Sequence, residues 1–92
     1  MSNYTYPIDY EAWSTIEIAQ VVDFFAAIET AYEQGISNAT FKDKYRTFKG
    51  IVTSKSEEKQ LDRDFMAISG YSIYRTVQKA QTLKDSQVLT MP

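Results

Sequence analysis

The 92-residue chain contains no histidine and no cysteine, and these two absences exclude more chemistry than any residue that is present. Without imidazole or thiol groups there is no histidine-containing catalytic triad, no thiolate nucleophile and no zinc site of the usual kind. Disulfides are excluded as well, which agrees with a reducing compartment. With only three glycines, the chain also has no glycine-rich loop for binding phosphate. We therefore expect a protein that is not an enzyme and that holds neither a cofactor nor a metal.

Long hydrophobic runs are also missing, and residues 1–10 contain no basic residue and no apolar stretch of signal-peptide length. The sequence therefore predicts a cytoplasmic protein that makes no contact with a membrane. Its length and its composition, 43% hydrophobic and 24% charged, fit one globular domain spanning residues 1–92. A domain of this size obtains most of its stability from one well-packed core.

Basic side chains are absent from residues 1–41, which carry six acids and a formal charge of −6. Residues 42–92 hold all ten basic side chains and the other six acids, which gives a charge of +4. Such a distribution makes a molecule dipolar unless its two parts pack against each other. We expect the two parts to pack together.

Two short motifs, Gly35-Ile36-Ser37 and Gly70-Tyr71-Ser72, mark junctions between predicted helices. Glycine just after a helix takes the left-handed conformation that satisfies the last carbonyls, and serine caps the helix that follows. The two motifs lie 35 residues apart, which is close to the length of one unit of a helical repeat protein. Superimposing the two units places apolar residues opposite charged ones, however, so a repeat is not predicted.

Capping boxes identify the other two helix starts. Ser14 and Glu17 have the spacing of a capping box, flanked by Trp13 and Ile18 as a hydrophobic staple, and a second box is predicted at 54–57. The sequence thus predicts an all-α fold, a single compact bundle of four helices at residues 15–33, 38–50, 55–69 and 73–84, with an extended aromatic arm at 1–12 and a frayed tail at 86–92.

Apolar residues recur at three- and four-residue spacing within each predicted helix. The widest such stripe belongs to the first helix, which is therefore the expected hub of the core. The residues predicted to face the core are Ile18, Val21, Val22, Phe24, Phe25, Ala27, Ile28, Ala31, Tyr32, Phe41, Tyr45, Phe48, Leu61, Phe65, Ile68, Ile73, Val77 and Ala80.

The aromatic arm is the first candidate for a functional surface. Its large side chains alternate along the sequence: Tyr4, Tyr6, Ile8 and Tyr10. Pro7 favours an extended backbone, so one side of the arm presents all four side chains, which suit a contact with a protein partner or with a second copy of the chain. The alternative is that the arm packs across the bundle and closes the core. Both interpretations can hold in a dimer.

Basic residues on the second and fourth predicted helices are the candidate nucleic-acid surface. They are Lys42, Arg46 and Lys49 on the second helix and Arg75 and Lys79 on the fourth. The first three share a face beside Tyr45 and Phe48, which suits phosphate contacts next to a stacking ring. The last two helices also imitate a helix-turn-helix, but the position that holds a buried aliphatic residue in that motif is Thr76 here. A pI near 5.0 also disfavours binding to nucleic acid.

Carboxylate pairs are the remaining candidates for binding Mg²⁺. Glu29 and Glu33 lie four residues apart, as do Glu58 and Asp62. The Glu-x-x-Glu and Glu-x-x-Asp motifs of the helical nucleotide pyrophosphohydrolases do not occur. Acids at this spacing among lysines are typical of a solvated helix face, so no metal site is predicted.

Several segments between residues 4 and 80 agree in residue type and spacing with one family of small proteins. They are Tyr6-Pro7-Ile8-Asp9-Tyr10, Trp13-Ser14-Thr15-Ile16-Glu17, Val21-Val22-Asp23-Phe24-Phe25, Glu29-Thr30-Ala31-Tyr32-Glu33-Gln34-Gly35, Tyr45-Arg46-Thr47-Phe48-Lys49, Ser54-Lys55-Ser56-Glu57-Glu58-Lys59 and Ser69-Gly70-Tyr71-Ser72. Together they resemble uncharacterised protein family 0223, small proteins of Gram-positive bacteria. Where that family often has proline, this chain has Thr53 and Ile73. The resemblance implies an all-helical fold, and it implies no established activity and no catalytic or binding residue.

These observations predict a non-enzymatic protein-interaction or small regulatory module. It would bind an unidentified protein partner, or form a homodimer, through the arm residues Tyr4, Tyr6, Ile8 and Tyr10. The alternative is a nucleic-acid-binding regulator that uses the basic residues of the second and fourth helices. Steep salt dependence of binding to nucleic acid would distinguish the alternative.

Overall fold

In the computed structural model, which describes residues 5–92, four α-helices follow one another along the chain. They are α1 (Thr15–Glu33), α2 (Asn38–Ile51), α3 (Lys55–Ser69) and α4 (Ile73–Thr82). Two short strands, β1 (Ile36–Ser37) and β2 (Val88–Leu89), form an antiparallel pair. The predicted all-α bundle of four helices is confirmed, and the predicted ranges agree with the structure to within two residues.

Serine caps begin these four helices, as the sequence predicts. Ser14 forms the complete capping box: its hydroxyl accepts the Glu17 amide at 3.1 Å, and the Glu17 carboxylate accepts the Ser14 amide at 2.9 Å. The Ser54 hydroxyl accepts the amide three residues later at 3.3 Å, which is one of the two bonds predicted there. Ser37 and Ser72 cap α2 and α4 through their hydroxyls as well. Local bonds of this kind explain why the helix starts can be read from the sequence.

The hub of the core is α1, as predicted. Its buried residues are Val21, Phe24, Phe25, Ala27, Ile28 and Ala31. The Phe24 ring stacks on Phe48 of α2 with 4.3 Å between ring centroids, and the Phe25 ring stacks on Phe65 of α3 at 4.9 Å. The prediction that Ile68 faces the core is wrong, since its side chain is 37% exposed. The helix α3 packs on the core through Leu61 and Phe65, and its last turn extends past that contact.

A connection of only four residues joins α1 to α2, and Phe24 of α1 contacts three rings of α2, so the two helices pack as an antiparallel pair. Asp23 in α1 and Lys44 in α2 form an ion pair at 2.5 Å near the middle of both helices. Three residues then separate the end of α2 from the start of α3. The start of α1, the end of α2 and the start of α3 therefore lie at one end of the bundle.

Residues 86–92, predicted to fray, are instead part of the fold. β2 pairs with β1, with Leu89 opposite Ile36. Leu89 is fully buried, and Met91 is nearly so and donates its amide to the Ala31 carbonyl at 2.8 Å. Two buried side chains spaced two residues apart are too short a pattern to predict a strand, and three helices separate β2 from its partner in the sequence.

Asn38, the first residue of α2, binds the end of α4. Its side-chain Nδ2 donates to the carbonyls of Ala80 at 3.0 Å and Leu83 at 3.1 Å, and its backbone amide donates to the Gln87 carbonyl at 2.9 Å. The side chain is fully buried. Because Asn38 satisfies carbonyls that a longer helix would use, α4 ends at Thr82, two residues before the predicted end.

Candidate functional site

A cleft of about 390 Å³ lies between α2, α3 and α4. Its main exposed apolar group is the ring of Tyr74 in α4, which is 61% exposed, whereas Ile73 and Val77 of the same helix line the cleft but are buried. The Tyr74 hydroxyl accepts a hydrogen bond from the side chain of Gln78 at 2.7 Å, which ties the ring to the next turn of α4. The cleft therefore offers an aromatic ring to a bound group.

Two carboxylates line the cleft, and both are engaged in the fold. Glu58 accepts hydrogen bonds from Lys49 Nζ at 2.6 Å and from the Tyr45 hydroxyl at 3.2 Å. Burial, together with the negative charge of Glu58, raises the pKa of Tyr45, and the hydrogen bond to Glu58 raises the pKa of Lys49. Asp62 accepts the backbone amide of Ile73 at 2.8 Å, which satisfies one of the free donors at the start of α4.

The ammonium groups of Lys55 and Lys59 differ from the other charged groups of the cleft. The two residues lie one turn apart on α3, and neither forms an ion pair with another residue in the range 5–92. The cleft is lined by three lysines and two carboxylates, so it carries one positive charge in excess, and Lys55 and Lys59 are its cations without an ion-pair partner in the described residues. This arrangement suits an anionic group that lies beside an aromatic or aliphatic one.

The predicted basic surface on α2 is occupied by ion pairs. Lys42, Arg46 and Lys49 each contact a carboxylate, at N–O distances of 3.0, 2.8 and 2.6 Å. Phe48, one of the rings placed beside them by the sequence, is fully buried against α1. Tyr45, the other ring, is partly buried and bonded to Glu58. The helix α2 therefore does not present a row of unpaired cations beside an exposed aromatic ring.

The basic residues of α4 lie outside the cleft. Lys79 donates to the carbonyl of Thr90, while Arg75 is exposed. Of the five basic residues predicted to bind nucleic acid, only Lys49 lines the cleft. Thr76, which occupies the position that argues against a helix-turn-helix, is fully buried.

The aromatic arm divides into a part that closes the core and a part that faces solvent. Tyr6 and Ile8 are partly buried against the core, and Tyr4 lies outside the described residues. The Tyr6 ring lies 5.4 Å from that of Phe25, and its hydroxyl donates to Glu29 at 2.6 Å. The structure thus brings Tyr6 and Ile8 into the packing of the bundle.

Tyr10 does not continue the alternation of the arm, because the chain turns at Asp9. The Asp9 carboxylate accepts the amides of Glu11 at 3.2 Å and Ala12 at 3.0 Å, and its carbonyl accepts the Trp13 amide at 3.1 Å. This turn leaves Tyr10 71% exposed between two exposed acids. We call residues 9–11 the acidic turn.

Glu29 and Glu33, the other acids spaced four residues apart, accept tyrosine hydroxyls. Tyr6 bonds to Glu29 at 2.6 Å and Tyr71 to Glu33 at 2.7 Å. Within residues 5–92, no three acidic side chains come together as a metal site. No helix in this part of the chain is long and apolar enough to cross a membrane.

The cleft itself was not predicted, although the sequence contained one signal for it. Lys55 and Lys59 have the four-residue spacing that places two side chains on one helix face, and Glu58 and Asp62 repeat that spacing beside them. From the sequence the two acids look like part of a solvated face. Only the packing of α4 against α3 engages Asp62 and leaves the lysines beside Tyr74.

Comparison with known proteins finds relatives along nearly the whole chain. Residues 3–89 match the model of a family described as Uncharacterised protein family (UPF0223). A UPF0223 protein of Bacillus cytotoxicus is 49% identical over 88 residues, which cover 96% of this chain and 98% of that protein. A UPF0223 protein of Streptococcus uberis is 51% identical over 82 residues, 89% of this chain and 88% of its own. A third, from Streptococcus pneumoniae, is 46% identical over 85 residues, 92% and 91% of the two chains.

Proposed function

The chain belongs to the uncharacterised protein family UPF0223, and we propose that it acts as a non-enzymatic protein-interaction module whose cleft between α2, α3 and α4 binds an acidic segment of a protein. The observation that carries this proposal is the pairing of exposed Tyr74 with the unpaired lysines Lys55 and Lys59 in one concave site. The cysteine-free sequence agrees with binding in the reducing cytoplasm.

The apolar side of the cleft supports recognition of a side chain. Exposed tyrosine is a frequent anchor of protein interfaces, because its ring offers a large contact area with few rotatable bonds. The Tyr74 ring is the exposed apolar group of the cleft, so an aromatic or aliphatic side chain of a partner can pack on it. The cleft volume falls within the range of roughly 300–1,000 Å³ that is common for binding sites.

The charged side of the cleft supports an acidic partner. Lys55 and Lys59 lie one turn apart, so two carboxylates near an anchoring side chain can approach both ammonium groups. Neither acid of the cleft forms an ion pair with these lysines: Glu58 pairs with Lys49, and Asp62 accepts the Ile73 amide at the start of α4 while it keeps its negative charge. Electrostatic complementarity of this kind mainly confers specificity and speeds association.

A binding role is favoured over catalysis by the chemistry of the same residues. The sequence has no histidine or cysteine, and the two carboxylates of the cleft are held by fixed partners. The nucleic-acid alternative has less support, since each of the three cations predicted on α2 contacts a carboxylate.

Selection from a displayed library of random peptides tests the proposed function. We expect the enriched peptides to carry two or more acids beside an aromatic or aliphatic residue. They should bind the wild type and lose affinity for the variant Lys55→Glu/Lys59→Glu by roughly tenfold or more. The matched control is Arg63→Glu/Lys84→Glu, which makes the same charge change at two exposed positions outside the cleft.

Three outcomes would contradict the proposal. No reproducible peptide is enriched, or the enriched peptides bind the cleft variant and the control equally, which would move the interaction to another surface. A third outcome is salt-sensitive binding of mixed-sequence single-stranded DNA or RNA in place of peptides, which would favour the nucleic-acid alternative.

A further inference from the structure

We propose that two copies of this chain form a symmetric dimer, here called the exchange dimer. In it the acidic turn of each copy, Asp9-Tyr10-Glu11, binds in the cleft of the other copy. This inference rests on the proposed function, because it uses the cleft as a binding site for an acidic segment, and it names that segment.

The acidic turn has the chemistry that the cleft would bind. It presents the ring of Tyr10, 71% exposed, with an exposed acid on each side. Neither Asp9 nor Glu11 forms an ion pair with another residue in the range 5–92. The turn therefore carries two negative charges and an uncovered aromatic ring within three residues.

The geometry of the turn is set before any partner binds. The Asp9 carboxylate accepts two backbone amides of the turn, and the Asp9 carbonyl accepts the Trp13 amide at 3.1 Å. Trp13 is itself buried, so the turn is attached to the core directly before α1. A segment held in one conformation loses little conformational entropy when it binds.

The cleft supplies the complementary groups. Lys55 and Lys59 are opposite in charge to the two acids of the turn, although the Asp9 carboxylate also accepts two backbone amides. The exposed ring of Tyr74 offers the surface on which Tyr10 packs. The turn does not fill the cleft of its own chain, because Tyr10 is largely exposed and none of residues 9–11 lines the cleft. The occupant in this arrangement is the turn of a second copy.

The fold also places the two surfaces so that the exchange can be reciprocal. The turn precedes the start of α1, and Lys55 is the first residue of α3. Both lie at the end of the bundle where α1 starts, α2 ends and α3 starts. In the proposed dimer a two-fold axis lies beside that end and relates the two contacts, as in other closed dimers.

Sedimentation equilibrium of the full chain with exchanged charges tests the dimer. One variant, Glu11→Lys, changes the turn and keeps Asp9, which builds it. The other, Lys55→Glu/Lys59→Glu, changes the cleft. Asp64→Lys and Arg63→Glu/Lys84→Glu make the same charge changes at exposed positions outside both surfaces.

We expect the wild type and the two control variants to dimerise, and each charge-reversed variant alone to dimerise roughly tenfold or more weakly. An equimolar mixture of the turn variant and the cleft variant should dimerise more tightly than either variant alone. In the mixed dimer one contact is native, and the other places the introduced lysine of the turn beside the introduced glutamates of the cleft. The dimer should also weaken between about 50 mM and 500 mM salt.

A wild type that stays monomeric up to about 1 mM overturns the exchange dimer, as does a dimer that survives both reversals. A mixture that dimerises no more tightly than either variant alone also overturns it, because the turn and the cleft would then not contact each other. The proposed function stands or falls independently: a monomeric wild type that still selects acidic peptides through Lys55 and Lys59 refutes the dimer alone.

Discussion

Gly35 and Gly70 have similar backbone conformations but different surroundings. Their φ angles are 95° and 79°, in the region where a Cβ is strained. A Cβ at Gly35 would also lie 2.9 Å from the Thr90 side chain and 3.0 Å from that of Val88, whereas one at Gly70 would meet nothing within 4 Å. Gly35 is therefore constrained both by the end of α1 and by the packing of β2.

Alanine at these positions should separate the two constraints. Gly70→Ala is expected to lower the free energy of unfolding by about 1 kcal/mol, the cost of a Cβ in the left-handed region. Gly35→Ala should cost more, because Thr90 and Val88 must also move. Gly50→Ala is the control, since Gly50 lies inside α2 with free space around it. Alanine at this position should raise the free energy of unfolding, because it favours the helix more than glycine does. Urea denaturation measures all three, and equal losses at Gly35 and Gly70 would show that β2 imposes no constraint.

At the scale of elements, the short strand β2 should contribute to stability far beyond its length. Leu89→Ala is expected to lower the free energy of unfolding by about 3 kcal/mol, because it empties a fully buried site. Val88→Ala, one residue earlier and 63% exposed, should change it by less than about 0.5 kcal/mol. Urea midpoints of the two variants test whether residues 86–92 are packed in the fold. If both changes are small, these residues fray, as the sequence predicts.

The aromatic arm makes a second prediction at this scale. Tyr6→Ala should destabilise the fold by about 2–4 kcal/mol, because the ring packs against Phe25 and the hydroxyl binds Glu29. Tyr6→Phe keeps the ring and should cost about 1 kcal/mol for the lost hydrogen bond. Tyr10→Ala should leave monomer stability within about 0.5 kcal/mol of the wild type. A Tyr6→Ala variant as stable as Tyr10→Ala would show that the arm does not close the core.

At the scale of the whole molecule, the acidic part, described from residue 5, and the basic part at 42–92 pack together as predicted, because α1 lies against α2 and α4. Asp23 and Lys44 form an ion pair between them. The α2 cations Lys42 and Lys49 form ion pairs with Asp85 and Glu58, which belong to the basic part as well. Because the described ion pairs are partly or largely exposed, each contributes little to stability. The charge asymmetry therefore persists at the surface, in the acidic turn and in the lysines of the cleft.

Alkaline pH should destabilise the molecule. Burial raises the pKa of Tyr45 above 10.0, a hydrogen bond to Glu33 raises the pKa of Tyr71 above 10.0, and a hydrogen bond to Glu58 raises the pKa of Lys49 above 10.5. A group whose pKa is raised by folding stabilises the folded state while it is protonated, and this stabilisation is lost as pH rises through the raised value. The urea midpoint should therefore change little between about pH 7 and 9 from these groups and fall above about pH 10.

Tyr45→Phe provides the control for this prediction. The variant cannot ionise at position 45, so its urea midpoint should fall less steeply above about pH 10 than that of the wild type. Parallel curves for the two proteins would show that Tyr45 does not contribute to the alkaline loss.

The helices could be predicted from the sequence alone, because their signals are local. The Ser14 capping box spans four residues, and the left-handed Gly35 and Gly70 each end a helix whose apolar stripe is visible in the residues before it. The other features of the fold and of the candidate site depend on tertiary packing. The pairing of β2 with β1, the turn that exposes Tyr10, and the cleft that gathers Lys55, Lys59 and Tyr74 depend on contacts between elements far apart in sequence, or on a single turn that ends an alternating pattern. A periodic pattern states which face of an element is apolar, but only packing decides what covers that face and which side chains remain open to bind.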